Sequence, residues 1–581
     1  MVTNDMSFLI GGDAGQGVES SGAGFAKALA RGGLHIFAMQ DYHSRIRGGH
    51  NFFQIRVNKR SVHSHTEAVH LVLALTEDTI SKHTESLVPG GGIIYDAEVE
   101  VTEKELDEKD IRLFPVPLSK MAQEHGGAEV MRNTAALGAA AGVVEYEIDR
   151  IESVIRDNFR KKGEAVIENN LKVAGAAYRF AREHYAAEFE FKLKTVDAPA
   201  RMVINGNHAF ALGAAVSGCK FVAGYPMTPG TSVLIWMATH GKRLGIVTKH
   251  TEDEIAAICM AIGAGHAGVR AMVPTSGGGF ALMAEALGLA GMTETPVVIF
   301  EAQRPGPSTG FATRTEQGDL LFMLHASQGE FPRIVLSPCT VEQCYQAGVR
   351  AFNFAEKYQC PVIVLSDNYL ANSLRTLDHD QFDFNQVAID RGAFLTDEDM
   401  ENLSDAYKRY AFTESGISPR AIAGHPKAVY STTSDEHDEY GHITEDAGNR
   451  VKMMDKRMRK LEEAARDMQP PELYGPHRAD VTFICWGSTY GPLREAVDIL
   501  NEDGDRANLL TIMDMWPFPK DSVGQRIDAS KRVIIVEGNY AGQLAELIRM
   551  CTGREIEERI LRFDGRPFSP EYILQRLKEG E

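Results

Sequence analysis

The sequence predicts a multidomain α/β protein, and three observations carry that reading. Strand-like apolar runs alternate with Gly- or polar-rich turns and helical stretches along most of the chain, the signature of parallel α/β sheets. The chain has 581 residues, which at about 150 residues per domain suggests roughly three or four domains. Hydrophobic residues make up 44 % and charged residues 24 %, ordinary for a globular protein and too apolar for disorder.

The elements fall into four regions. The first, residues 1–190, opens with the strand-like Ser7-Phe8-Leu9-Ile10, a Gly-rich turn and a helical stretch around Ser20 to Arg31. Leu71 to Leu75 and Gly92 to Tyr95 are further apolar runs, and residues near 185–200 read as a linker. The second region, 200–385, contains the buried-strand patterns Val269 to Pro274, Pro296 to Phe300 and Pro361 to Leu365, separated by Ala- and Gly-rich helical stretches. Small residues let such helices sit close to a sheet, and loops at strand ends are where these folds bind ligands. The third region, 386–475, is a polar, His-rich connecting segment. It ends in an amphipathic helix whose apolar face is expected to be Val451, Met454, Met458, Leu461 and Ala465, spaced for docking. The fourth, 476–581, is a compact α/β unit with strands over Val481 to Trp486 and Arg532 to Glu537.

Composition excludes several functions. Lys and Arg number 61 against 80 Asp and Glu, a formal charge of −19, which argues against a broad nucleic-acid footprint. The sequence has no apolar run of membrane-spanning length, so no membrane association is expected. Met1 to Asp5 carries an acid and no basic residue, so no signal peptide is expected there. Seven cysteines without any C-x-x-C fit a reducing cytoplasm and supply neither a disulfide framework nor a metal cluster. No metal site is expected on this chain; His437 and His442 beside Asp438 and Glu439 read as polar residues of the connecting segment.

The residues that could carry chemistry lie at strand ends. Gly11 to Val18 follows a strand and precedes a helix, where free N–H groups favour an anion. Its spacing is neither a P-loop nor G-x-G-x-x-G, so Gly15 and Gly17 serve either a tight turn or an anion cradle. Arg47-Gly48-Gly49 can hold a carboxylate or phosphate, or the arginine bonds a neighbouring carbonyl. Tyr225-Pro226-Met227-Thr228-Pro229 is stiffened by two prolines, presenting the Thr228 hydroxyl at a strand end. Thr251-Glu252-Asp253-Glu254 then enters an apolar helix. Glu252 and Asp253 read as complements of the helix dipole, whereas Glu254 is expected to point inward, where a carboxyl can share a proton. Thr275-Ser276-Gly277-Gly278-Gly279 forms a loop open to a flat ring, and Arg304 to Gly310 a rigid loop with an arginine. Zinc-hydrolase and nucleophile-elbow motifs are absent.

Taken together, these motifs resemble the alpha subunit of 2-oxoacid:ferredoxin oxidoreductases with the gamma domain fused at the N-terminus, most like the 2-oxoglutarate type (2-oxoglutarate synthase). The resemblance spans nearly the whole chain. It implies a gamma-type α/β domain, a thiamine-diphosphate pyrimidine-binding domain, the connecting segment and a transketolase C-terminal-like domain, the last carried by Asp514 to Pro519 and Glu537 to Tyr540. Glu254 matches the glutamate that bonds N1′ of the aminopyrimidine. Tyr225, Pro226, Thr275, Ser276 and Gly277 match cofactor-binding positions, and Thr228 and Arg304 match groups that bind the 2-oxoacid. Gly15, Gly17, Arg47, Gly48, Gly49 and Asn539 are implied contacts for coenzyme A or a partner. The implied reaction is CoA-dependent oxidative decarboxylation of a 2-oxoacid, with electrons passed to ferredoxin.

Two departures from the family pattern, Gly230-Thr231 and Ala312, leave the pocket shape and therefore the substrate open. The motif that holds Mg2+ and the diphosphate is missing, as are cluster cysteines. A beta subunit is therefore implied, bringing Mg2+ and a 4Fe-4S cluster, in a dimer of alpha-beta heterodimers. Pyruvate or a branched-chain 2-oxoacid is the alternative substrate, and a non-catalytic scaffold or a nucleotide-binding module the alternative role.

Overall fold

The computed structural model describes residues 2–42, 49–101, 110–199, 201–382, 384 and 387–580. Two compact units form: Met1–Ile204 with Asn372–Gln381 and Ser569–Gln575, and Asn205–Ala371 with Phe382–Phe568 and Arg576–Glu581.

The first unit is built on β1 (Asp5–Asp13), followed by α1 (Val18–Arg31), β2 (His35–Asp41), β3 (His50–Asn58), β4 (Val69–Ala74), β5 (Leu87–Asp96), β6 (Arg112–Val116), α2 (Arg132–Val143), α3 (Glu164–Tyr185) and β7 (Arg201–Ile204). Its eight-stranded sheet has the order β6-β5-β4-β1-β3-β2, then Leu374–Asp378, then β7. The β6-β5-β4-β1 half is parallel, and the remaining pairings are antiparallel. Phe8 of β1 meets Phe25 of α1 edge-on at 5.0 Å in the core. Small residues let α2 and α3 touch backbone to backbone: a Cβ on Gly138 would lie 2.3 Å from the Ala174 carbonyl oxygen. Residues 201–204 and 374–378, expected within the second domain, thus pair into the first unit's sheet.

In the second unit come β8 (Phe221–Gly224), α4 (Thr231–Leu244), β9 (Val247–His250), α5 (Glu254–His266), β10 (Ala271–Thr275), α6 (Gly277–Met292), β11 (Val297–Gln303), β12 (Ile334–Leu336), α7 (Val341–Tyr358) and β13 (Pro361–Asp367). They are followed by α8 (Ala447–Asp467), β14 (Glu472–Tyr474), β15 (Val481–Cys485), β16 (Ala507–Thr511), β17 (Asp514–Trp516), β18 (Val533–Glu537), α9 (Gln543–Thr552) and β19 (Arg559–Leu561). One sheet runs β9-β8-β10-β11-β13-β12-β17, parallel except for β17; the other runs β14-β16-β15-β18-β19. The fourth region does not close a core of its own. Ile484, Trp486, Leu510, Met515 and Leu544 pack into one cluster with Ile258, Phe280, Ile299 and Ile363. Its strand β17 pairs with β12 of the neighbouring sheet.

The helix α8 forms where periodicity predicts it, but with a different face inward. Val451 is 60 % exposed, and Met454, Met458 and Leu461 are only half-buried. Met453, Lys456, Arg457, Lys460 and Ala464 are the buried ones. Charge explains the rotation. Glu294 is fully buried just beyond α6, and its carboxylate takes the Lys456 ammonium at 2.6 Å and that of Lys460. Against the effect of burial, these two ammonium groups hold the Glu294 carboxyl well below the usual carboxylate range. Burial in turn pushes Lys456 down to about 7. Nearby, Glu356 holds Arg270, Arg391 and Arg420 at 2.7–2.9 Å, and His437 stacks on Tyr410 at 4.1 Å. The connecting segment is therefore fastened by buried ion pairs.

Among the described residues, no helix is long and apolar enough to cross a membrane. Five cysteines, Cys219, Cys339, Cys344, Cys360 and Cys485, are free and buried.

Replacing Glu294 by Gln strands two buried ammonium groups, and removing one partner of such an ion pair costs about 3–5 kcal/mol. The Glu294→Gln variant is therefore expected to unfold at a clearly lower denaturant midpoint. An unchanged midpoint would contradict this account.

Candidate active site

The site lies where β8, β10 and β11 end. The Tyr225–Pro229 loop leaves β8 and meets the first turn of α6: the Gly279 N–H donates to the Met227 Sδ at 3.2 Å. A Cβ on Gly230 would lie 2.4 Å from the Thr275 carbonyl oxygen, so glycine is required where the two loops touch. Asp253 caps α5, its carboxylate accepting from the Ala256 N–H at 2.7 Å, and Glu252 is exposed. Glu254 is the first residue of the helix, only 3 % exposed, and its Oε1 is buried with no hydrogen-bond partner. Opposite it, a Cβ on Gly279 would come within 2.2 Å of the Thr275 Oγ1 and 2.8 Å of the Glu254 Oε1. Ser276 opens α6 as its N-cap but makes no capping bond, and its buried Oγ is also unpartnered.

An orphaned carboxylate oxygen and an orphaned hydroxyl thus stand beside a triple glycine with no side chain to fill the space. Burying such groups costs about 1–3 kcal/mol each unless a ligand supplies the partner. The arrangement fits a flat heteroaromatic ring with a basic nitrogen for Glu254, the shape and chemistry of an aminopyrimidine.

Arg304 follows β11 and donates from Nη1 to the Thr228 carbonyl at 2.8 Å, so the two proposed substrate groups are neighbours. Beneath them lies an acidic cluster. Glu301, the register partner of Thr275 on the neighbouring strand, is fully buried with both carboxylate oxygens unpartnered. Burial, with Asp319 and Asp367 nearby, pushes its carboxyl well above the usual range. Burial also lifts Asp319 to about 6 and Glu316 to about 7. A Cβ on Gly277 would lie 2.4 Å from the Asp319 Oδ2. Among the described residues no group of three or more His, Cys, Asp or Glu is arranged to hold a metal ion.

The structure therefore gathers Thr228, Glu254, Thr275, Ser276, Gly277 and Arg304 at one set of strand ends. Tyr225 is 40 % exposed at the rim, beside Pro226. Asn539 sits differently from its expected contact role. It is 1 % exposed, and its amide is used within the chain, donating to the Gln317 carbonyl and Glu537 and accepting from the Gly542 and Gln543 N–H groups. In the first unit, Gly15 and Gly17 have φ of 94° and 75°, a left-handed conformation that suits glycine. The Gly49 carbonyl accepts from Ala14 N–H of the same loop at 3.3 Å. Arg47 and Gly48 lie outside the described residues. Sequence reasoning missed Glu301, Gln317 and Asp319. A signal for Glu301 was present: an acid inside the apolar strand Val297–Gln303.

Fold and site together define a thiamine-diphosphate-binding subunit of the ferredoxin oxidoreductase class. Residues 213–456 match the family model described as "Pyruvate flavodoxin/ferredoxin oxidoreductase, thiamine diP-bdg". Residues 7–180 match "Pyruvate ferredoxin/flavodoxin oxidoreductase" and 479–573 "Pyruvate:ferredoxin oxidoreductase core domain II". A 2-oxoacid:ferredoxin oxidoreductase subunit alpha from Sulfolobus sp is 34 % identical over 99 % of this chain and 98 % of its own length. A 2-oxoglutarate synthase subunit KorA from Methanothermobacter thermautotrophicus is 35 % identical over 64 % of this chain and 97 % of its own. Among solved structures, 2-oxoglutarate:ferredoxin oxidoreductase from Magnetococcus marinus, with 2-oxoglutarate, coenzyme A and succinyl-CoA bound, superposes with a TM-score of 0.91 at 34 % identity, covering 99 % of each chain. The chain belongs to the family of 2-oxoacid:ferredoxin oxidoreductase alpha subunits.

The acidic cluster makes a pH prediction. Asp319 titrates ordinarily at 3.8 but is raised to about 6 in the folded protein. The folded state binds that proton more tightly, so its stabilising contribution is full below the lower value and is lost as pH rises through the higher. Asp319→Asn is expected to flatten the pH dependence of the unfolding midpoint between these values. An Asn variant with the parent's slope would rule this out.

Proposed function

We propose that this chain is the alpha subunit of a 2-oxoglutarate:ferredoxin oxidoreductase, converting 2-oxoglutarate and coenzyme A to succinyl-CoA and CO2 with electrons passed to ferredoxin. The observation that carries the reading is the buried, unpartnered Glu254 Oε1 facing the glycine turn of α6. Thiamine diphosphate, when bound, supplies the carbanion-stabilising centre that decarboxylation of a 2-oxoacid requires. Glu254 holds the proton at N1′ of its aminopyrimidine, a general acid-base role. Gly277 to Gly279 let the backbone approach the ring closely, with the Thr275 and Ser276 hydroxyls beside it and Tyr225 and Pro226 at the rim.

Arg304 and Thr228 bind the substrate's carboxylate and carbonyl, held together by their own hydrogen bond. Arginine suits this task because its planar donors match a carboxylate. The 2-oxoglutarate assignment is supported by the KorA relatives and by the bound ligands of the Magnetococcus marinus enzyme. In the gamma-type domain, the Gly15–Gly17 turn with Gly49 is the proposed contact for coenzyme A or a partner.

The partner is a beta subunit that brings Mg2+, the diphosphate site and a 4Fe-4S cluster. Helices α5 and α6 support this, since they are apolar all round, a pattern that belongs to buried helices. Yet Ile255 is 49 % and Leu282 51 % exposed, an apolar surface that a second subunit would cover.

Two measurements test the reading. The chain, co-purified with its beta partner and loaded with thiamine diphosphate, is expected to reduce methyl viologen fastest with 2-oxoglutarate plus coenzyme A. A preference for pyruvate or a branched 2-oxoacid would reassign the substrate, and no turnover with any 2-oxoacid would refute the enzyme assignment. Glu254→Gln is expected to lower kcat by about 10²-fold or more while the complex still assembles. An unimpaired Gln variant would place the proton relay on another carboxylate.

A further inference from the structure

The substrate arginine is carried on a loop, residues 304–319, that one buried side chain fastens to a different sheet. The loop's base is closed by the Asp319 N–H donating to the Gln303 Oε1 at 2.9 Å. Arg304 itself has one hydrogen bond at its head, to the Thr228 carbonyl. Between these points the loop is tied at Thr313 and Thr315 and, with the largest set of bonds, at Gln317, which is 2 % exposed. Its Nε2 donates to the Trp486 carbonyl at 2.9 Å, beyond the end of β15. Its Oε1 accepts from the Thr489 hydroxyl at 2.9 Å and from the Gly538 N–H at 2.7 Å. Its backbone joins in: the Gln317 N–H donates to the Gly538 carbonyl at 2.6 Å, and its own carbonyl accepts from the Asn539 amide at 3.1 Å.

The surroundings are shaped for this amide. Gly487 has φ of 56°, and a Cβ there would lie 2.5 Å from the Gln317 Nε2. Helix α9 adds a second tie beside the first, its Gln543 Oε1 accepting from the Leu321 N–H at 2.9 Å. Loops after β15 and β18, in the five-stranded sheet, thus converge on one residue of the loop that leaves β11 in the seven-stranded sheet. No group of that smaller sheet is otherwise given a part in the chemistry.

We propose that Gln317 is a positioning residue: it couples the five-stranded sheet to the 304–319 loop and thereby sets where the Arg304 guanidinium meets the 2-oxoacid carboxylate. The inference rests on the reading of Arg304 as a substrate ligand. A displacement of about 1 Å at such a group is enough to cost much of its binding or rate.

The test uses the complete alpha-beta complex with thiamine diphosphate, 2-oxoglutarate and coenzyme A. Gln317→Met keeps the side chain's length and removes its polar bonds. It is expected to raise KM for 2-oxoglutarate about tenfold while leaving KM for coenzyme A unchanged. A residue that acts only through Arg304 gives non-additive effects with it. In the Arg304→Lys background, Gln317→Met should therefore raise KM by no more than about twofold. An equal rise in both backgrounds, or a parallel rise in both substrates' KM, would overturn the positioning role. An Arg304→Lys variant with unchanged KM for 2-oxoglutarate would overturn the reading of Arg304 itself, and this inference with it. Should Gln317→Met fail to assemble, Thr489→Val removes one bond to the same amide. It is expected to give about a threefold rise in the same KM, and no rise would count against the proposal equally.

Discussion

The site depends on backbone meeting backbone at the ends of the parallel strands. Gly230 lies against the Thr275 carbonyl, Gly277 against the Asp319 carboxylate, and Gly279 against Thr275 and Glu254. Each contact is shorter than any residue with a Cβ would permit. Because these three positions carry no side chain, the turn after β8 and the first turn of α6 close on each other beside Glu254. The Glu254 carboxylate is buried there, and its Oε1 has no hydrogen-bond partner.

Electrostatics is distributed unevenly around that cleft. The distant carboxylates, Glu294 and Glu356, are each neutralised by two or more cations, and they fasten the connecting segment to the sheet. The near ones, Glu301, Asp319 and Glu316, have no such neutralisation and hold their protons to higher pH. Glu301 and Asp319 lie close enough to the Arg304 guanidinium to interact with its charge. The −19 net charge thereby gains a local meaning, because some of the acids counted as anions from sequence bind their protons more tightly inside the fold.

Coupling between sheets is the other theme. The C-terminal strands share a hydrophobic cluster with the helices that frame the site, and strand β17 pairs across to β12. Gln317 makes the same connection in polar form.

Much of this was legible in the sequence. Strand and helix alternation pointed to the α/β class, the helix-entry pattern Thr251 to Glu254 to an inward-facing Glu254, and prolines and glycines to the strand-end loops. These signals are local, since periodicity, capping and turn chemistry are written in neighbouring residues. What only the tertiary structure decided involves residues far apart in the chain. The face that α8 buries is one case: the apolar stripe from Val451 to Ala465 lost to Lys456 and Lys460, because Glu294, some 160 residues away, had to be neutralised. The assignment of residues 374–378 to the first sheet is another, since strand pairing depends on a partner that no window of sequence contains. Asn539 and Gln317 are a third, polar residues whose roles follow from what folding placed against their amides.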